Sequence, residues 1–227
     1  PDRLPLGKLS LLLGEPAVGK RLLALDLAPR VSAGTPWPDS PEISNEPAGV
    51  VLLSTEDTLA DIVRPRLDAP GADPSRIALM GTSAGGHLAA LIGTINDKGN
   101  LFPVKTMRRT SGKVQAVVDI DGILAFIHPE SGEGADKPGK PSAATLWFEG
   151  NSTEKRAQWT EASPFSHPHP ETAPFLFINS SQPRFHAGRD DFSARLDSMG
   201  ISCEIKTLEN TPHTFWLFNP WFPEVVD

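Results

Sequence analysis

The sequence predicts an α/β fold with a mostly parallel sheet flanked by helices. Short apolar runs typical of buried strands recur along the chain, and segments with helical spacing of apolar residues lie between them. Because strands that alternate with helices need crossover connections, neighbouring strands are expected to run parallel. The 227 residues are enough for one such domain with a substantial core.

The predicted elements follow in a regular order. A strand at 9–13 and a helix from about 20 to 27 come first, and the proline-rich loop GTPWPDSPEISNEPAG then leads to a strand at 50–54. A helix is predicted at 57–67, and a glycine-rich, lid-like loop at 131–141. The later strands are RIALMG, KVQAVVDID, PFLFINS and SCEIKTL, and the later helices are AGGHLAALIGT, AATLWFEG and DDFSARLDSMG.

Composition narrows the classes of partner. The net charge of −7 argues against nucleic acid as the main partner, because phosphate binding needs clustered Lys and Arg. KTMRR at 105–109 is expected to be a solvated loop, and no apolar run is long enough to cross a membrane. Cys203 is the single cysteine and the histidines lack metal spacing, so neither a metal nor another cofactor is predicted.

The strongest motif is MGTSAGG at 80–86, which contains G-x-S-x-G between a predicted strand and a predicted helix. This context is typical of a nucleophile elbow, a sharp turn that pushes the hydroxyl of Ser83 clear of the sheet. Glycines at positions 81 and 85 are expected because side chains there would collide. The amide of Ala84, at the helix N-terminus, is the predicted donor to an oxyanion.

A serine nucleophile needs a general base, and His213 is the predicted one. The segment TLENTPHTFWLF places His213 in the loop after the last predicted strand. His87 is too close to Ser83 in sequence and is expected to pack along its own helix. Structural or incidental roles are expected for the other histidines, which are His128, His167, His169 and His186.

Four segments carry a family resemblance: GADPSRIALMGTSAGGHLAAL, VQAVVDIDGILAF, PFLFINSS and TPHTFWLF. In these segments, from about residue 71 onward, the chain resembles bacterial α/β-hydrolases of the esterase and lipase group that includes carbohydrate acetyl esterases. The resemblance implies a truncated three-layer α/β-hydrolase-like sandwich without a cofactor. It also implies a serine carboxylic-ester hydrolase that acts on small esters through an acyl-serine intermediate.

A serine hydrolase of that group also carries an acid that holds the histidine, and at its usual position this sequence departs from the pattern of the group. Its members usually carry an aspartate a few residues after the strand equivalent to PFLFINS, and this chain has SSQPRF there, with Ser181 or Gln182 at the expected place. Neither side chain stabilises an imidazolium as a carboxylate does. Asp121 directly follows the preceding strand, at an adjacent strand end, and is the replacement we favour.

Other acids remain as alternatives to Asp121. Asp190 is the runner-up and opens the next predicted helix together with Asp191, although N-capping explains an aspartate there equally well. Glu209, four residues before the base, is a weaker candidate. Asp119 lies within its strand and is expected to be structural.

The N-terminal third has a different resemblance. LLLGEPAVGKRLLALDL contains GEPAVGK, which matches G-x-x-x-x-G-K, and LLSTEDTLADIVRPRL would provide the next strand and helix. Residues 5–70 therefore resemble a RecA-like P-loop ATPase of the replication-helicase type. Arg21 replaces the Ser or Thr that binds Mg²⁺ and the rest of that fold does not follow, so ATP hydrolysis is not predicted.

The two resemblances meet within LDAPGADPSRIAL and predict a fusion. A P-loop-like segment, 1–70, would supply the first strands of a hydrolase core, 71–227, in one continuous structural domain. The chain lacks an HGGG-type loop, and GEPAVGK holds its place in chain order. Backbone amides of this loop, from Gly14 and Glu15 onward, are therefore predicted beside Ser83 as further oxyanion donors. The alternative function is a nucleotide- or anion-binding module with an inactive hydrolase scaffold.

The sequence says less about the oligomeric state and the cellular location of the protein. Few residues follow His213, so the helix that usually closes this fold is expected to be short or missing, and the uncovered sheet face leaves a homo-oligomer open. The single cysteine and the lack of a signal peptide in the chain favour the cytoplasm over export, and a leader ahead of Pro1 is left open.

Overall fold

A computed structural model describes residues 20–42, 46–53, 71, 73, 76–96 and 113–226. Among these residues, five strands form one sheet in which the strands follow each other in chain order and every neighbouring pair is parallel. The predicted α/β fold with a mostly parallel sheet is confirmed. The strands are Val50–Leu53 (β1), Ile77–Thr82 (β2), Val117–Ile120 (β3), Phe175–Ser180 (β4) and Cys203–Leu208 (β5).

The helices of the described residues include one, Arg156–Glu161, that the sequence pattern did not indicate. The first helix runs past its predicted end near residue 27, and an ion pair between Asp26 and Arg30, one turn apart at 2.9 Å, spans Pro29 within it. The predicted strand at 9–13, the helix at 57–67 and the boundary at residue 70 lie outside the described residues. The helices are Lys20–Ala33 (α1), Ala84–Ile95 (α2), Ala143–Trp147 (α3), Arg156–Glu161 (α4), Arg189–Ser198 (α5) and Phe222–Val226 (α6).

One face of the sheet packs against α2 and α5. Alternate residues of β4 point to this face, and the backbone of α2 comes so close to β3 that a Cβ on Gly93 would lie 2.1 Å from a methyl group of Val117. Glycine is therefore required at this crossing. The buried core on this side includes Leu79, Ala89, Ala90, Val117, Phe175, Phe177, Phe192 and Leu196.

The opposite face is covered, over β3 to β5, by the end of the chain itself. Phe215 is fully buried there against Ile120, Ile178 and Leu208, and the residues packed around this cluster include Trp216, Trp221 and Val225. The helix that was expected to be short or missing after His213 is α6, which spans Phe222–Val226. The prediction that this face is uncovered is wrong for this part of the sheet, because the aromatic side chains after His213 pack onto it.

The segment between β3 and β4 forms a small core of its own beside the sheet. Trp159 is completely buried in it, donates its indole N–H to the carbonyl of Gly150 at 3.1 Å, and packs with Phe126 and Phe148. This segment contains the predicted lid-like loop at 131–141. In the described parts of the chain, no helix is both long and apolar enough to cross a membrane.

Candidate active site

Ser83 occupies the sharp turn between β2 and α2 that the sequence predicts. Its backbone is held at φ 53° and ψ −121°, a conformation that non-glycine residues seldom adopt, and its N–H donates to the carbonyl of Ile120 at 2.8 Å. The turn therefore takes part of its support from the neighbouring strand β3. Strain of this kind at a strand end is typical of a functional position.

The glycines around Ser83 are needed for different reasons. A Cβ on Gly81 would lie 2.0 Å from the backbone oxygen of Gly85, so the predicted collision exists at position 81. It does not exist at Gly85, where a Cβ would meet nothing within 4 Å. The second crowded position is Gly86, whose Cβ would lie 2.2 Å from a carboxyl oxygen of Asp119.

The structure brings Ser83 and His213 into hydrogen-bond contact across the carboxyl ends of the strands. Ser83 Oγ lies 2.9 Å from His213 Nε2, and these residues are 130 positions apart in sequence. His213 stands in the loop after β5, and its side chain is 22% exposed, so the pair borders solvent. The arrangement allows Nε2 to accept the hydroxyl proton of Ser83.

Asp121 holds the other nitrogen of the same imidazole. Its Oδ2 lies 3.0 Å from His213 Nδ1, and the carboxyl group is fully buried. The second oxygen, Oδ1, accepts from the backbone N–H of Ser180 at 2.8 Å and, at a longer 3.5 Å, from the amide of Asn179. A carboxylate only accepts hydrogen bonds, so Nδ1 carries the proton of His213 and Nε2 is left to accept from Ser83.

The alternative acids lie elsewhere. Asp190 is exposed and accepts from Arg189 at 2.8 Å, whereas Asp191 Oδ2 lies 3.3 Å from His128 Nε2. Neither caps α5, because Gly188, at φ 81°, occupies that position. Glu209, the weaker candidate, is exposed. Of the acids considered, the structure places Asp121 against the histidine. Asp121 follows β3, His213 follows β5, and β4 pairs with both strands, so their carboxyl ends share one edge of the sheet.

A buried polar side chain, that of Asn179, helps to hold Asp121 in place. Asn179 is completely buried, and its Oδ1 accepts from Arg189 at 3.0 Å. A guanidinium only donates, so this contact fixes the amide orientation and turns Nδ2 towards Asp121. The buried charge of Arg189 is balanced by Asp190. Sequence reasoning missed Asn179, although a lone polar residue inside the apolar strand PFLFINS was a signal for it.

Asp119 is a second buried carboxyl group, two residues before Asp121. Its Oδ1 accepts from the backbone N–H of Gly122 at 2.8 Å, while burial raises the pKa of Asp119 well above its ordinary value. A Cβ on Gly122 would lie 2.4 Å from the same oxygen. The side chain thus secures the turn that follows β3, in line with the structural role expected for it.

Two aromatic rings enclose His213. The ring of Phe185 stacks on the imidazole with 3.7 Å between centroids and 12° between planes, and Trp216 packs nearly perpendicular to it at 5.3 Å. Phe185 belongs to the short 3-10 helix Pro183–His186, and the guanidinium of Arg184 lies 4.8 Å from its ring centroid. Sequence reasoning missed Phe185, because nothing in SSQPRF indicates which ring it faces.

Four of the remaining five histidines have a hydrogen-bond partner, and the buried Nδ1 of His186 has none among the described residues. His87 Nε2 lies 2.8 Å from the carbonyl oxygen of Ala162, and burial lowers the pKa of His87. His186 is buried beside Arg189, and its pKa is lowered, first by burial and then by that positive charge. Ring nitrogens also face neighbours of their own in His128, His167 and His169.

The predicted oxyanion donors are only partly described. Ala84 is the first residue of α2 and follows Ser83 directly, so its amide belongs to the helix N-terminus as expected. Gly14 and Glu15 lie outside the described residues, as do residues 16–19 of the P-loop-like motif and the side chain of Arg21. Within the part of the chain that the structure describes, no group of His, Cys, Asp or Glu side chains could hold a metal ion.

Residues 63–185 match the family model BD-FAE. The match includes Ser83 and Asp121 and ends before His213. It begins near the end of the P-loop-like segment, so the resemblance of that segment to P-loop ATPases, and the fusion it implies, remain predictions. None of the curated proteins matches the chain.

Several solved structures share the fold. A truncated carbohydrate esterase from gut microbiota is 21% identical with a TM-score of 0.52, the match covering 73% of this chain and 62% of that one. A bifunctional GH43-CE protein of Bacteroides eggerthii is 21% identical at 0.56, covering 72% and 24%. A thermophilic esterase of the planctomycete Thermogutta terrifontis, butyrate bound, is 21% identical at 0.52, covering 72% and 58%. The chain thus spans less than two thirds of each, and at this identity the likeness shows the fold.

Proposed function

Because the chain belongs to the BD-FAE family, we propose that it is a serine carboxylesterase that hydrolyses acetyl and other short-chain esters through an acyl-serine intermediate. The observation that carries the proposal is the unbroken series of hydrogen bonds from Asp121 through His213 to Ser83. These three side chains have the order and the contacts of a catalytic triad.

In the first half of the reaction, Ser83 is acylated. His213 Nε2 takes the hydroxyl proton while Ser83 Oγ attacks the carbonyl carbon of the ester, and the resulting oxyanion accepts from the amide of Ala84. Asp121 stabilises the imidazolium through its hydrogen bond to Nδ1. The imidazolium then gives its Nε2 proton to the leaving alkoxide oxygen, so that the ester C–O bond breaks and the alcohol departs.

In the second half, water removes the acyl group. His213 Nε2 accepts a proton from the water as its oxygen attacks the acyl carbon, and the same proton returns to Ser83 Oγ when the tetrahedral intermediate collapses. The products are the free carboxylic acid and the original Ser83 hydroxyl. Each proton moves through one nitrogen, which suits the fixed tautomer that Asp121 imposes on His213.

Two neighbours support the choice of substrate size and class. The Thermogutta terrifontis esterase is described with butyrate bound, and the gut-microbiota protein as a carbohydrate esterase. A short acyl group on a small or sugar-like alcohol is therefore the first substrate to test. The partial exposure of the His213 side chain, 22%, is compatible with an alcohol that leaves towards solvent.

The proposal is tested by labelling and turnover together. The wild-type chain should react with a fluorophosphonate at Ser83 and hydrolyse p-nitrophenyl acetate, and both Ser83→Ala and His213→Gln should lose these activities. Ser198→Ala, which removes a hydroxyl from the exposed end of α5, is the matched control and should behave like the wild type. Absence of labelling, together with measurable ATP affinity, would favour the nucleotide-binding alternative.

A further inference from the structure

We propose that Phe185 is a positioning residue for the general base: the face of its ring holds the His213 imidazole and stabilises the positive charge that this ring acquires during catalysis. The inference rests on the esterase function proposed above. It concerns the step in which the proton of Ser83 Oγ moves to His213 Nε2 and the neutral imidazole becomes an imidazolium.

The stack supplies a restraint that the hydrogen bonds do not. Ser83 and Asp121 bind opposite nitrogens of the imidazole, and both bonds lie close to the plane of the ring. They resist only weakly a rocking motion about the line that joins the two nitrogens. Phe185, parallel to the ring within 12° and 3.7 Å away, opposes this motion from one side.

Phe185 is itself held in place by the backbone around it. Its N–H donates to the carbonyl of Gln182 at 3.0 Å, which closes the turn that carries the ring. The side-chain amide of Gln182 in turn donates to the carbonyl of Thr211 at 3.0 Å, two residues before the histidine. The turn after β4 and the histidine loop after β5 are therefore joined, and the distance between the two rings does not depend on the side chains alone.

The electron-rich face of the Phe185 ring makes the contact favour the imidazolium over the neutral imidazole. The face of a phenyl ring is electron-rich, so it attracts a cation more strongly than a neutral imidazole. Arg184 also lies over this ring, at 4.8 Å, and Glu133 lies 3.5 Å from that guanidinium and offsets part of its charge. Asp121 balances the imidazolium in the plane of the ring, and Phe185 acts from its face.

A contact that strengthens only when charge develops lowers the barrier without binding the substrate. We therefore expect Phe185 to act on kcat and leave KM unchanged. Cation–π energies correspond to about a two- to fivefold change in rate at exposed sites and to about a thirtyfold change at desolvated ones.

The experiment changes the charge of the ring face and leaves its shape nearly constant. Phenylalanine analogues with one, three and five fluorine atoms, introduced at position 185, withdraw electrons from the ring in steps. We expect kcat for p-nitrophenyl acetate to fall with each step, while KM and the melting temperature stay constant. Phe185→Leu, which removes the ring, should lose at least as much kcat as the pentafluoro analogue.

Phe165 provides the matched control. It also lies beneath a guanidinium, that of Arg195 at 5.1 Å, and it has no contact with His213. The same fluorinated series at position 165 should leave kcat unchanged.

The outcomes separate the two proposals. An active wild type whose kcat is constant across the series at position 185, or whose KM changes instead, would overturn the role assigned to Phe185 and leave the esterase standing. A wild type that neither turns over ester nor labels at Ser83 would overturn the esterase, and this inference with it.

Discussion

Replacing Asp121 by asparagine changes the charge and the hydrogen-bonding pattern of one buried side chain, and the surrounding structure dictates how the new side chain must sit. The backbone N–H of Ser180 points at Oδ1 from 2.8 Å and cannot become an acceptor. Asn179 also donates towards this oxygen, and its orientation is fixed by Arg189. The carbonyl oxygen of the new amide must therefore occupy the Oδ1 position, and its NH₂ group must face the histidine.

The consequence for the base follows directly. An NH₂ group 3.0 Å from His213 Nδ1 can only donate to it, so Nδ1 loses its proton and the proton moves to Nε2. In that tautomer Nε2 no longer accepts from Ser83, and the imidazolium also lacks its carboxylate. Loss of the acid through this change of tautomer costs about 10⁴ in kcat in the serine-protease triad, equivalent to about 5.4 kcal/mol.

The assay is the steady-state hydrolysis of p-nitrophenyl acetate, with the melting temperature measured in parallel to show that the variant is folded. Asp191→Asn is the control, because it makes the same chemical change at an exposed acid on α5. It should keep the wild-type rate. A folded Asp121→Asn variant that retained more than about a tenth of the wild-type kcat would refute the assignment of Asp121 as the triad acid.

Three further changes test the fold around the site. The raised pKa of Asp119 adds stability below about pH 4 that is lost as pH rises through the folded-state pKa, so Asp119→Asn should gain in urea midpoint over the wild type as pH rises above about 4; a pH-independent difference would contradict this. Gly81→Ala should lower the urea midpoint sharply, because the added Cβ would lie 2.0 Å from the backbone of Gly85, whereas Gly85→Ala, with open space around its Cβ, should not. Equal losses in the two variants would contradict the collision at position 81. Trp159→Ala should cost about 3–5 kcal/mol of unfolding free energy, whereas Trp147→Ala, at a side chain 62% exposed, should cost much less.

The parts of the site that could be predicted are those encoded locally or by strand order. Ser83 lies within a contiguous motif, and its turn follows from the strand and helix on either side. His213 and Asp121 follow the ends of parallel strands, and these ends must share one edge of the sheet, so their meeting was a matter of topology. The prediction for Gly85 was wrong because a five-residue pattern does not reveal which glycine faces which backbone.

The parts that escaped prediction depend on the packing of side chains distant in sequence. Phe185 meets His213 because two loops on neighbouring strands are joined, and no periodicity in the chain encodes that stack. The role of Asn179 follows from its hydrogen bond with Arg189, which lies on α5 and is ten positions further along the chain. The predictions for Gly14 and Glu15 cannot be compared with the structure, because those residues lie outside its described part.

The order of the strands determines at what stage of folding the proposed activity can arise. Each described strand from β2 onward pairs with the described strand before it, so the sheet can grow strand by strand as the chain emerges. The contact between Ser83 and His213 spans 130 positions and waits for the last strand and the loop after it. The proposed esterase activity should therefore report the joining of these distant segments: on refolding, its recovery should follow, and never precede, the tryptophan burial seen by fluorescence.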